Sequence, residues 1–162
     1  MPIPTGEVAF SAEEAFTKAA SFNGGIVVKS QALTGGRGLG HFKETGFQGG
    51  VHIVDSAEKV KEVSSKMLGN HLVTKQSGED GVKVAAVYLV EKIGISKELY
   101  LSVTLDRGQG CPIFIYSAAG GMNIEDVAHN TPELVFKMPV NMAEGLNDEQ
   151  LKQAAHNVGL GD

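Results

Sequence analysis

VVKSQALTGGRGLG, residues 27–40, carries a strand pattern straight into a glycine cluster, and the rest of the chain is organised around that junction. The run 26–33 (IVVKSQAL) opens on β-branched residues and reads as a buried strand containing one lysine, Lys29. An ammonium inside an apolar strand is costly unless it reaches a partner. Glycines then recur at 35, 36, 38 and 40, where bare N–H groups can approach phosphate oxygens, with Arg37 among them. His41 and Lys43 add positive potential. Two readings fit these residues. One is a site for an anionic ligand, most simply a nucleotide polyphosphate; the other is a mobile surface hairpin with a snorkelling lysine. The pattern is not a Walker A, because no Gly-Lys-Ser/Thr follows four variable residues. It is not the dinucleotide fingerprint either, because the glycines run G-x-G-x-G and no helix opens after them.

Outward from this junction, Ser11 and Glu14 form a capping box before a helix with Ala12, Ala15, Phe16, Ala19 and Ala20 at helical spacing, and Asn23-Gly24-Gly25 stops it. The glycine-rich loop occupies 34–50, and 51–54 is a short strand. Asp55 with Glu58 reads as a second capping box, opening a helix that places Ala57, Val60, Val63, Met67 and Leu68 on one face and ends at Gly69. Residues 71–76 and 82–93 read as strands. Farther on, 98–107 and 111–118 flank Gly108-Gln109-Gly110 as a hairpin. A short helix from Asn123 follows, then a strand around Leu134-Val135-Phe136, and a last helix over 148–157 capped by Asn147 and Gln150 and ended by Gly159. The fold class is α+β, with a small lobe over 1–93 and a second part over 94–162 that has little sheet for an independent domain.

Composition narrows the function. The chain has 162 residues, 42% of them apolar, enough for a packed core, and its 21 glycines are about twice the usual share. A formal charge of −5 disfavours nucleic acid and anionic membranes as partners. The single cysteine, Cys111, excludes a disulfide framework and a cysteine zinc site, and the five histidines lack metal-ligand spacing. No apolar run approaches the ~20 residues of a membrane-spanning helix. The opening Met-Pro-Ile-Pro-Thr-Gly enters a strand abruptly, so the natural chain is expected to begin earlier. A second candidate site is Glu91-Lys92-Ile93-Gly94, at the end of the strand 82–93, with Glu98 opening the next. Backbone groups at a strand exit can read a nucleobase edge, and the two carboxylates can accept ribose hydroxyls. The same residues also read as a charged strand end with a glycine turn.

Five blocks carry a resemblance: VVKSQALTGGRGLG (27–40), GFQGGVHIV (46–54), MLGNHLVTKQ (67–76), KELYLSVTLDR (97–107) and GGMNIEDVAHNTPELVFK (120–137). Together, nearly end to end and in one order, they resemble the β subunits of succinate–CoA ligase. The front half is also similar to ATP-citrate lyase and other acyl-CoA synthetases. The resemblance implies an ATP-grasp fold with one complete small lobe over 1–93, part of the second over 94–162, and the CoA-ligase domain outside the chain. It places Lys29 on phosphate, Gly36, Arg37 and Gly38 in a flexible phosphate-covering loop, Glu91, Lys92 and Ile93 at the base, and Glu98 on the ribose. It implies Mg2+ with ATP or GTP, with the metal's protein ligands beyond residue 162. The phosphorylated histidine belongs to the family's α subunit, so no catalytic residue is assigned here. The implied partners are that α subunit, nucleotide, succinate and CoA, in the tricarboxylic acid cycle, and the fragment alone is expected to be inactive. A loop over 38–50 longer than in bacterial forms, with a shorter Glu91-to-Glu98 spacing, resembles the mitochondrial type and implies the matrix; a bacterial origin would imply the cytoplasm. The competing class is a non-catalytic nucleotide-binding or subunit-interaction module.

Overall fold

Antiparallel pairing around the Lys29 strand builds the first half of the protein. The fold is that of a computed structural model, which describes residues 2–121 and 123–161. The chain divides into two compact units, Met1–Gly94 and Ile95–Asp162.

The first unit runs β1 (Gly6–Ala9), α1 (Ala12–Ala19), β2 (Ile26–Gln31), β3 (His41–Phe42), β4 (Val51–Val54), α2 (Ala57–Met67), β5 (His71–Val73), β6 (Val82–Lys83) and β7 (Ala86–Glu91). Four strands form an antiparallel sheet in the order β1-β7-β2-β4. One face of it, with Ala9, Ile26, Val28, Val54, Val87 and Leu89, packs against Ala15 and Ala19 of α1 and Val60, Val63 and Met67 of α2. A smaller sheet in the order β3-β5-β6 buries Phe42 and Leu72. Both helices begin where a serine hydroxyl can take an orphan N–H. Ser11 accepts from Glu14 at 3.1 Å, but the Glu14 carboxylate reaches back to the Phe10 N–H at 2.8 Å, one residue beyond the expected box. For α2 the cap is Ser56, not Asp55; Asp55 instead pairs with the Lys59 ammonium at 2.7 Å.

Several strand ends differ from the sequence expectation, each for a local reason. The run 82–93 is two strands in two sheets. Between them Val84 leaves the ladder, donating to the Asn70 carbonyl and accepting from the Gly69 N–H, both at 2.9 Å. β5 stops at Val73 because the Thr74 N–H turns to the Ser77 hydroxyl at 2.8 Å. β2 stops at Gln31, and Leu33 stands 99% exposed.

The second unit pairs β8 (Tyr100–Asp106) with β9 (Cys111–Ser117) as the expected hairpin, followed by α3 (Ile124–Asn130), β10 (Phe136–Pro139) and α4 (Asp148–Asn157). Its sheet order is β10-β9-β8. β10 begins two residues later than expected because Pro132–Leu134 forms a 3-10 turn, closed by the Leu134 N–H on the Thr131 carbonyl at 3.0 Å. α4 carries the full capping box, Asn147 with Gln150. Tyr116 stacks on Phe114 and Phe136, packs with Ala154 and Val158, and receives the Asn157 amide at 3.1 Å. In register with that face, the edge strand β8 exposes Leu101, Val103 and Leu105.

Because Leu89 is fully buried and Val103 is 67% exposed, their truncations should separate sharply. Leu89→Ala should lower the unfolding free energy by about 2–5 kcal/mol in chemical denaturation, and Val103→Ala by under about 0.5 kcal/mol. Equal losses would contradict the assigned core.

Candidate functional site

Alternation along β2 separates its two chemistries. Ile26, Val28 and Ser30 are buried, whereas Val27 and Lys29 are half-buried and Gln31 is exposed. β2 is therefore not buried on both faces, which corrects the expectation for the strand around Lys29. Lys29 lies on the sheet face away from the helices, in a cross-strand row with Val51 of β4 and, through β7, Tyr88 and then Val8 of β1. Its ammonium makes no hydrogen bond or ion pair among the described residues. A lysine on an open, otherwise apolar face keeps its head in water, so the strand tolerates it without a partner.

The glycine segment is more ordered than a loop. Residues Arg37–Leu39 form a 3-10 turn, entered through Gly36 at φ +67°, a conformation that a side chain rarely adopts. The N–H groups of Gly36, Arg37 and Gly38 donate to nothing within the protein among the described residues, and a Cβ at Gly36 or Gly38 would meet no atom within 4 Å. The far end of the segment is tied to β2. Arg37 donates through Nη1 to the Ser30 carbonyl at 2.7 Å, and the Gly50 N–H donates to the Arg37 carbonyl at 2.8 Å. The Ser30 N–H and hydroxyl both donate to the Gly50 carbonyl, at 2.8 and 3.0 Å. Gly50 must be glycine here: a Cβ would lie 2.4 Å from Ser30 Oγ. Arg37 is thus fixed to β2 at the residue after Lys29, with part of the guanidinium's donor capacity already used. Sequence reasoning missed Ser30, Gly50 and His52; the Gly49-Gly50 pair ahead of a strand was the available signal.

At the end of β7, Glu91 is half-buried and Lys92 and Ile93 are exposed. The Glu91 N–H donates to the Thr5 carbonyl and the Lys92 N–H to the Gly25 carbonyl, both at 2.9 Å. Two of the backbone donors expected to read a base are therefore engaged by neighbouring backbone; the Ile93 N–H has no such bond among the described residues. Glu98 belongs to the second unit. It is exposed, its carbonyl accepts from Gly120 at 3.2 Å, and a side chain on Gly121 would run into its carboxylate. Among the described residues no three His, Cys, Asp or Glu side chains are grouped to hold a metal ion, and no helix is long and apolar enough to cross a membrane.

The α+β architecture with this glycine segment has a family. The chain belongs to the ATP-grasp family, whose domain matches residues 1–162. Curated relatives that it matches include succinate–CoA ligase β subunits. The mitochondrial GDP-forming subunit of Dictyostelium discoideum is 43% identical over 94% of this chain and 36% of its own length. The mitochondrial ADP-forming subunit of Saccharomyces cerevisiae is 43% identical over 97% of this chain and 37% of its own. The chain thus spans a little over a third of these relatives. Among solved structures, the dinucleotide-forming acetyl-coenzyme A synthetase of Ca. Korarchaeum cryptofilum superposes with a TM-score of 0.63 at 16% identity, covering 96% of this chain and 58% of that one. That likeness shows the shared fold.

Glu44, in the middle of the glycine segment, is held by His71 of β5. The His71 backbone N–H, at 2.8 Å, and its ring Nδ1 both bond the carboxylate, lowering its pKa from 4.5 to about 2. A carboxyl whose folded value is depressed stabilises the fold fully above its ordinary value, and loses that contribution as pH falls through the folded one. The stability difference between wild type and Glu44→Gln, read by denaturation at several pH values, should therefore shrink between pH 4.5 and about 2. A difference constant over that window would contradict the pairing.

Proposed function

We propose that residues 1–162 form the nucleotide-binding part of a succinate–CoA ligase β subunit. That enzyme converts succinate, CoA and a nucleoside triphosphate reversibly to succinyl-CoA, nucleoside diphosphate and phosphate. The observation that carries this reading is the Lys29 ammonium, which makes no hydrogen bond or ion pair among the described residues, on the strand that leads into the glycine segment, in a chain matched along its whole length by the ATP-grasp family. In this reading Lys29 and the free donors of Arg37 neutralise phosphate charge. The inward-unbonded N–H groups of Gly36, Arg37 and Gly38 supply further donors to phosphate oxygens. Glu91, Lys92 and Ile93 meet the base, chiefly through side chains and the Ile93 peptide, and Glu98 accepts the ribose. Phosphoryl transfer depends mainly on positioning and charge neutralisation, which is what such residues provide. Mg2+ accompanies ATP or GTP and shields the phosphates when bound, and no ligand set for it is assigned to these residues. Residues 1–93 are the first ATP-grasp lobe and 94–162 part of the second, a reading supported by the division into Met1–Gly94 and Ile95–Asp162. The partner is an α subunit carrying the phosphorylated histidine. The mitochondrial relatives support the matrix as the location.

Lys29→Ala is the clean test, because this ammonium makes no hydrogen bond or ion pair among the described residues, whereas Arg37→Glu also cuts the bond to Ser30. In the assembled α/β enzyme, Lys29→Ala should reduce kcat/KM by about 10²–10³, with the thermal midpoint unchanged. A change under about threefold would remove Lys29 from the phosphate site. Titration calorimetry of the chain with MgATP and MgGTP then identifies the preferred base.

A further inference from the structure

We propose that His52 is the positioning residue of the glycine segment, holding it by a hydrogen-bonded and stacked clamp. His52 lies opposite Val28 in the β2–β4 ladder, two residues beyond Gly50. Its Nε2 stands 3.0 Å from the Gln48 carbonyl oxygen and 2.9 Å from that of Gly49. Carbonyl oxygens only accept, so Nε2 carries the hydrogen and donates to both. The ring also stacks on Phe47, with centroids 4.6 Å apart and planes 14° from parallel, and Phe47 is covered by the Lys66 ammonium of α2 at 5.2 Å. Residues 47–49 are thus gripped by one side chain from a rigid strand.

The grip is passed on through the backbone. The Gly49 N–H donates to the Gly40 carbonyl at 2.7 Å, and Gly49 sits at φ +81°. The Gly50 N–H and carbonyl lock Arg37 and Ser30 as described above. His52 thereby sets where the 37–39 turn rests against the Lys29 strand, without itself facing the ligand. Two glycines in succession have little conformational preference of their own, so their placement has to come from such outside contacts. The functional consequence rests on the nucleotide reading above.

Two variants separate the parts of the clamp. His52→Phe keeps a ring to stack on Phe47 and removes the donor, and His52→Gln restores an amide donor. In the unliganded chain, His52→Phe should speed hydrogen exchange of the Gly49 and Gly50 amides about tenfold or more, leaving core amides such as Val28 unchanged, and His52→Gln should recover most of that protection. Unchanged exchange at Gly49 and Gly50 overturns the assignment, as does a uniform rise across the core, which would make His52 an ordinary stability residue. This readout needs no nucleotide, so it stands or falls apart from the nucleotide reading. In the assembled enzyme, His52→Phe should raise the nucleotide KM about tenfold while kcat changes under about threefold. An unchanged KM beside faster glycine exchange overturns the positioning role.

Discussion

The pleat of β2 is the constraint on which the rest depends. Alternation sends Ile26, Val28 and Ser30 toward two helices and leaves Val27 and Lys29 on the other side of the sheet. A single strand therefore supplies both the centre of the core and the charged group at the candidate site. Its neighbours β4 and β7 are held in register by the same core residues, since a shift by one residue would turn Lys29 into the helices and Val28 out to solvent. The energetic penalty of burying that ammonium makes the register strongly specified.

The glycine segment then follows from what β2 offers at its end. Ser30 is buried, yet its hydroxyl, N–H and carbonyl are all engaged, two with Gly50 and one with Arg37. A buried polar position next to Lys29 thus becomes the anchor for residues twenty places further along the chain. Glu44 and His71 fix the middle of the segment to the smaller sheet in a comparable way. In the turn at 37–39 the Leu39 N–H closes on the Gly36 carbonyl at 3.0 Å, and the Arg37 and Gly38 N–H groups are left without an acceptor among the described residues.

Much of the architecture was legible in sequence because local chemistry and final structure agree. The helices at 12–19 and 148–157 are announced by Ser11 and Asn147, and the β8–β9 hairpin by its glycine turn. The misreadings fall where a tertiary contact overrides local preference. Val84 breaks an apolar run because Gly69 and Asn70 claim its backbone, a contact invisible from periodicity. Asp55 and Ser56 are both good caps, and only the approach of Lys59 decides between them. At the site, Lys29, Gly36, Arg37 and Gly38 stood out as residue types that bind anions, whatever their neighbours. Ser30 and His52 did not, because their part is to hold other groups, and that is written in distances.

The bare outer strand of the second unit has a practical side. Leu101, Val103 and Leu105 line an edge whose outer backbone donors and acceptors have no strand beside them among the described residues. Such an edge is a template for pairing with another chain, and among the described residues neither a proline nor a charged side chain interrupts β8 between Tyr100 and Leu105. Storage at high concentration therefore favours sticky, sheet-like association through this strand. A lysine placed at 103 is the simplest way to keep the protein in solution without touching the first unit.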